Sequence, residues 1–323
     1  MFQIRPFDYT AQDYNAVLAV SNAVWPDLGE TVALWQHRDD ARDKNYFYQR
    51  FVVTDTAQVL AVGFCMETAW LYRPGKYFLR IDVHPAHERQ GIGTALYDHM
   101  RQLLAKRDLA PTMLVSHTRE DKPQGFHFLE KRGFAQVMRS PVSKLVVANF
   151  DATKFAGVLE KVRAAGIGLY SVAELATFDA DWQRQLYELD WICTQDEPLP
   201  DAPTRPPFEE YVNLIFNQPN FLPGASFVAL EQGQYVGMTT CTRSASNPSL
   251  ISTDFTGVLR THRRQGIATA LKLLTIDYAQ RYEFALIETG NEEHNPMLQI
   301  NVALGFQPEP AWVDFQKIMA RTS

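Results

Sequence analysis

Residues 258–271 read VLRTHRRQGIATAL, and residues 83–96 read VHPAHERQGIGTAL. Nine of the fourteen aligned positions are identical, where unrelated segments share roughly one. Gly266 lies 175 residues after Gly91, and Gly305-Phe306 lies 172 residues after Gly133-Phe134. Two landmarks at nearly one offset identify a duplicated domain. At 323 residues the chain suits two domains of about 150 residues each. We place the first at residues 1–150 and the second at residues 151–323, with a helical connector over 151–165.

The pattern around each repeat is the same. In the first half, residues 46–53, 59–68 and 77–83 read as strands, the third leading through His84-Pro85 into the glycine segment. A helix follows over 94–106, where Leu96, Met100, Leu103 and Leu104 recur at helical spacing. A strand over 113–116 and a short helix then end at Gly133, which reads as a C-cap. The second half repeats strands 226–231, 235–242 and 251–258, helix 269–281, strand 284–289 and helix 297–304. Residues 166–174 open it as its first strand.

A strand that runs through Arg-Arg-Gln-Gly-Ile-Ala into a helix has a direct physical use. Small residues let the backbone approach a ligand, and the first helical N–H groups have no partner of their own. Those donors and the positive helix end suit phosphate oxygens. Arg263 and Arg264 add local positive charge to a chain whose net charge is −6. A pyrophosphate fits such a place. Neither GxxxxGK[ST] nor GxGxxG with a ribose-binding acid is present.

The segment resembles motif A of the GNAT acetyltransferases, [QR]-x-x-G-x-[GA], which Arg263, Gly266 and Ala268 satisfy in full. In the first half Gly91 and Gly93 match, while Glu88 stands where the motif has Gln or Arg. Downstream, Thr289, Asn291, Asn295, Met297, Asn301 and Leu304-Gly305-Phe306 resemble the asparagine run of tandem two-domain GNAT proteins similar to mycothiol synthase. The resemblance implies an α/β (α+β) fold of two tandem GNAT domains, each a mixed, mostly antiparallel sheet flanked by helices. It also implies acetyl-CoA as co-substrate, with no metal.

By the same resemblance, coenzyme A meets Val258, Leu259, Arg263, Arg264, Gln265, Gly266, Ile267, Ala268, Thr269, Asn291 and Asn295 in the second half. The equivalent set in the first half is Val83, Arg89, Gln90, Gly91, Ile92, Gly93 and Thr94. The second half carries the intact motif and is expected to be the catalytic one, the first being degenerate. Where many relatives place an acidic tyrosine, this chain has Leu129 and Asn301, and Asn301 is a candidate to bond the sulfur or hold a water. Glu288, near the carboxyl end of a central strand, and Asp254, on the strand leading to the glycine loop, are the candidate bases.

The proline-rich stretch 191–207 carries Asp196, Glu197 and Asp201, which suit a cationic amine or an amino sugar. The expected activity is N-acetyl transfer to a primary amine of a small molecule. A protein or peptide N-acetyltransferase and a non-catalytic acyl-CoA sensor are the alternatives. Three scattered cysteines argue against a disulfide framework or a thiolate metal site. The acidic balance argues against a nucleic-acid footprint, and no apolar run is long enough for a bilayer. A cytoplasmic monomer or homodimer, without a membrane partner, is the expectation.

Overall fold

The computed structural model describes residues 2–55 and 58–319. It divides into two compact units, one of residues 1–139 and 312–323, the other of residues 140–311. The units therefore do not coincide with a cut at residue 150. The carboxy-terminal strand counts with the first unit only from Trp312 onward, and the segment from Ser140 to Ala311 counts with the second.

In chain order, β1 (Gln3–Pro6), α1 (Ala11–Val24), α2 (Val32–Ala41), β2 (Tyr48–Thr54), β3 (Val59–Met66) and β4 (Lys76–Val83) come first. They are followed by α3 (Ile92–Leu104), β5 (Met113–Arg119) and α4 (Pro123–Glu130). Next come β6 (Ala135–Val146), α5 (Val158–Ala164), β7 (Ile167–Ser171), α6 (Val172–Phe178), α7 (Trp182–Thr194) and α8 (Phe208–Tyr211). The chain closes with β8 (Phe227–Glu231), β9 (Gln234–Arg243), β10 (Leu250–Val258), α9 (Ile267–Arg281), β11 (Leu286–Gly290), α10 (Pro296–Ala303) and β12 (Gln307–Ile318).

In the first unit the sheet runs β1, β2, β3, β4, β5 and then residues 312–318 of β12. In the second it runs β7, β8, β9, β10, β11 and then residues 142–146 of β6. Each sheet has one parallel pair, β4 with β5 and β10 with β11. The remaining neighbours run antiparallel: β1–β2, β2–β3, β3–β4 and β5–β12 in the first unit, and β7–β8, β8–β9, β9–β10 and β11–β6 in the second. A parallel pair needs a crossover, and α3 and α9 supply it.

The second unit buries both faces of its sheet. Strand side chains alternate in direction, so Val228 packs with Leu186, Leu189 and Cys193 of α7, while Ala229 packs with Ile267, Ala270 and Leu271 of α9. Helix α9 thus lies on one face and α7 on the other.

Two elements differ from the sequence reading. The strand expected over 166–174 ends at Ser171, because Ser171 and Glu174 form a capping box that starts α6. The connector breaks at Gly157, at φ +81°, so a 3-10 turn (Ala152–Phe155) precedes α5.

Candidate active site

Strands β10 and β11 pair for only four residues each, from Leu250 with Leu286 to Thr253 with Thr289. Beyond Thr253, β10 continues to Val258 against β9 alone. The two parallel strands therefore part, and a wedge-shaped gap opens between them. At its vertex Thr253 faces Cys241 and Phe255 faces Thr240, so Asp254 is the extra residue of a β-bulge. The bulge is why alternation along this strand does not assign faces from sequence.

After Val258 the chain makes a 3-10 turn (Arg260–His262) and enters α9 through Arg264 at φ +63° and Gly266 at φ +86°. Arg89 at +62° and Gly91 at +80° repeat this geometry before α3. Only glycine takes the left-handed region at little cost, which accounts for Gly266 as N-cap. The first backbone bond of the helix is Ala270 N–H to the Gly266 carbonyl at 2.9 Å. The N–H groups of Ile267, Ala268 and Thr269 thus have no intrahelical acceptor, and no side chain caps them.

This turn and the gap share a cavity of about 540 Å³. Of the residues singled out in the second half, Asp254, Val258, Arg263, Arg264, Gly266, Ile267, Ala268, Thr269, Asn291 and Asn295 line it. Leu259, Gln265, Glu288 and Asn301 are not in its wall. In the first unit a cavity of about 500 Å³ takes in Val83, Arg89, Gly91, Ile92, Gly93 and Thr94 but not Gln90.

The polar residues divide into those held and those poised. Glu288 accepts from Ser252 Oγ at 2.8 Å and has Lys144 Nζ at 3.9 Å. Asn295 caps α10, its Oδ1 accepting from Met297 N–H at 2.9 Å. Asn301 is fully buried and donates Nδ2 to Asn291 Oδ1 at 2.6 Å, so it meets the cavity only through Asn291. Asp196 is bound to Arg260, whose Nε donates at 2.9 Å, and to Arg263. Those hydrogen bonds hold its carboxyl down to about 2. Asp196 is thus taken up by arginines, and among the acids of its loop Glu197 also lines the cavity.

Two further groups were missed in the sequence. Lys272, on α9, lines the cavity at 4% exposure, and burial pushes its ammonium down to about 8. The signal was its place on the inward stripe with Ala268, Thr275, Ile276 and Ala279. Asp190 lies on the α7 stripe with Leu186, Tyr187 and Cys193; burial first, then Glu197, raises its carboxyl to about 7.

The sequence matches the acetyltransferase (GNAT) family over residues 13–134 and again over 183–299. Among curated proteins no sequence matches it. Solved structures resemble it along its whole length. A tandem GNAT protein from the clavulanic acid biosynthesis pathway superposes with a TM-score of 0.77 at 19% identity, covering 100% of both chains. A GCN5-related N-acetyltransferase from Sphaerobacter thermophilus gives 0.68 at 16% identity, over 98% of this chain and 95% of that one. A GCN5-related glucosamine N-acetyltransferase region of a fungal multi-domain β-N-acetylglucosaminidase also gives 0.68, at 11% identity, over 98% of this chain and 38% of that one. At such identities these likenesses speak for the fold; with the doubled family match, they make the chain a tandem member of the acetyltransferase (GNAT) family.

Proposed function

We propose that the second half transfers an acetyl group from acetyl-CoA to a primary amine of a small molecule. The observation that carries this reading is the junction of an uncapped helix N-terminus and a strand gap in one cavity of about 540 Å³. The fit to coenzyme A is physical. Three unpartnered N–H groups at a positive helix end suit a pyrophosphate, and the β10 edge that β11 leaves suits an amide-bearing chain.

When bound, acetyl-CoA supplies the activated thioester. In this reading the amides of Ile267, Ala268 and Thr269 hold the diphosphate, with Arg264 beside them. The exposed edge of β10 from Asp254 to Val258 orients the chain and presents N–H donors toward the carbonyl oxygen. Asp254, set into the cavity by its bulge, takes the proton from the attacking amine. Glu288 is bonded to Ser252 and lies outside the wall, so it supports the strand rather than the reaction. Glu197 at the cavity favours a cationic acceptor.

The first half lacks the bulge. Its β4 pairs with β3 in unbroken register from Phe78 to Val83, which supports assigning the chemistry to the second half. One observation favours a non-catalytic acyl-CoA sensor: Leu129 and Asn301, at the tyrosine positions, are both buried and neither is an acid.

Acetyl-CoA incubated with the protein and a panel of small amines, with released thiol and acetylated product measured, tests the proposal. Thiol release that depends on amine supports it. Tight acetyl-CoA binding with no turnover of any amine or peptide supports the sensor instead.

A further inference from the structure

Lys272 is the unexplained charge of this molecule. It sits in the cavity wall at 4% exposure and makes no hydrogen bond or ion pair with any described residue. A buried ammonium without an anion is costly, so its retention asks for a partner that arrives with the reactants. The Phe306 ring centroid is 6.0 Å from Nζ, and the one titratable neighbour acting on it is the Cys241 thiol.

Cys241 also locates the lysine. This thiol is buried on the α9 face, 3.9 Å from Thr275 Oγ1, and its residue faces Thr253 in the ladder. Thr253 is the last residue at which β10 and β11 remain paired. Lys272 therefore lies beneath the vertex of the gap, on the face opposite α7.

The first half repeats the arrangement with a different residue. Tyr97 aligns with Lys272 at the 175-residue offset, lines the other cavity, and carries a buried hydroxyl without a hydrogen-bond partner. Both halves thus place an unpartnered proton-bearing group at one position of the cavity wall. A merely structural polar residue would be bonded.

We propose that Lys272 is the proton donor to the departing thiolate of coenzyme A, the task for which Asn301 is unfit. This rests on the coenzyme A reading of the same cavity. As the amine nitrogen bonds to the acyl carbon, the carbon–sulfur bond breaks and its electron pair goes to sulfur. An N–H proton of the Lys272 ammonium passes to that sulfur, giving the free thiol and a neutral lysine. The amine proton taken up by Asp254 leaves to solvent, and solvent reprotonates Lys272.

Calorimetry with coenzyme A and with desulpho-coenzyme A, which lacks the sulfur, tests this apart from turnover. Wild type is expected to prefer coenzyme A several-fold, its sulfur being within hydrogen-bond reach of Lys272. Lys272→Met is expected to bind both alike, at the wild-type desulpho affinity, and to lose roughly 100-fold or more in kcat with little change in KM. Lys272→Arg, which keeps the charge but not the acidity, is expected to retain the sulfur preference and not the rate. An equal preference in wild type and Lys272→Met, or an unchanged kcat, overturns the assignment of Lys272. Failure of desulpho-coenzyme A to bind wild type overturns the cofactor reading instead. Melting of Lys272→Met at the wild-type temperature or above shows that the fold is intact.

Discussion

Asn301 Nδ2 donates to Asn291 Oδ1 across 2.6 Å and so ties α10 to the end of β11, at the margin of the cavity. The bond is part-buried, Asn301 being at 0% exposure and Asn291 half-buried. Asn301→Ala leaves the half-buried Asn291 oxygen unpaired and a void where the Asn301 side chain was, which costs about 1–3 kcal/mol. We expect a lower melting temperature and a several-fold rise in the KM for acetyl-CoA. A direct role at sulfur would instead appear as a kcat effect at unchanged KM.

Gly266 is held at φ +86°, where an L side chain is strained. Gly266→Ala is expected to destabilise the protein by about 1–2 kcal/mol and to weaken coenzyme A binding. Gly91→Ala, at φ +80°, carries the same backbone cost. If chemistry belongs to the second half, denaturation responds to both substitutions and turnover only to the first.

The sequence alone already contained the duplicated loop and the order of strands around it, because nine identical residues dictate one local geometry twice. Other features depend on the partner strand or the opposite face. The bulge at Asp254 exists only in its register with β9. Strand β7 stops at Ser171 because the side chains of Ser171 and Glu174 reach each other, which an apolar run on either side disguises. The three acids of the 191–207 stretch looked alike, yet of the two that line the cavity Arg260 and Arg263 hold Asp196 and not Glu197. Lys272 was hidden for the opposite reason, since a lysine in a helix reads as solvated until its neighbours are known.

Asp196 holds Arg260 and Arg263 back from any phosphate. Asp196→Asn frees both guanidinium groups and is expected to tighten coenzyme A binding a few-fold at low salt, the gain fading at high salt. The carboxyl is held down to about 2 by Arg260 and then Arg263. A depressed acid stabilises the fold above its unfolded value near 4 and loses that contribution as pH falls towards 2. Wild type and Asp196→Asn should therefore converge in stability over that window, which acid denaturation curves measure.

Lys272 makes a prediction of the opposite kind. Burial pushes its ammonium down to about 8, from a usual value near 10.4. The unfolded chain then binds more protons between those values, so stability gains from this group as pH rises from about 8 to about 10.4. Lys272→Met is expected to be more stable than wild type at pH 7, by about 2–3 kcal/mol. The advantage shrinks above pH 8. A constant difference from pH 7 to pH 10 contradicts a buried, unpaired lysine.

The helix start at residues 267–269, as the seat of a diphosphate, underlies every role assigned to this cavity, and Ala268→Asp probes it most directly. A carboxylate in the first turn favours the helix dipole, so the fold is retained, but it repels a phosphate. Calorimetric titration with coenzyme A is predicted to show binding to wild type and at least a roughly tenfold loss in Ala268→Asp, at a melting temperature equal to or above that of wild type. Equal affinity in the two proteins contradicts a diphosphate seated there.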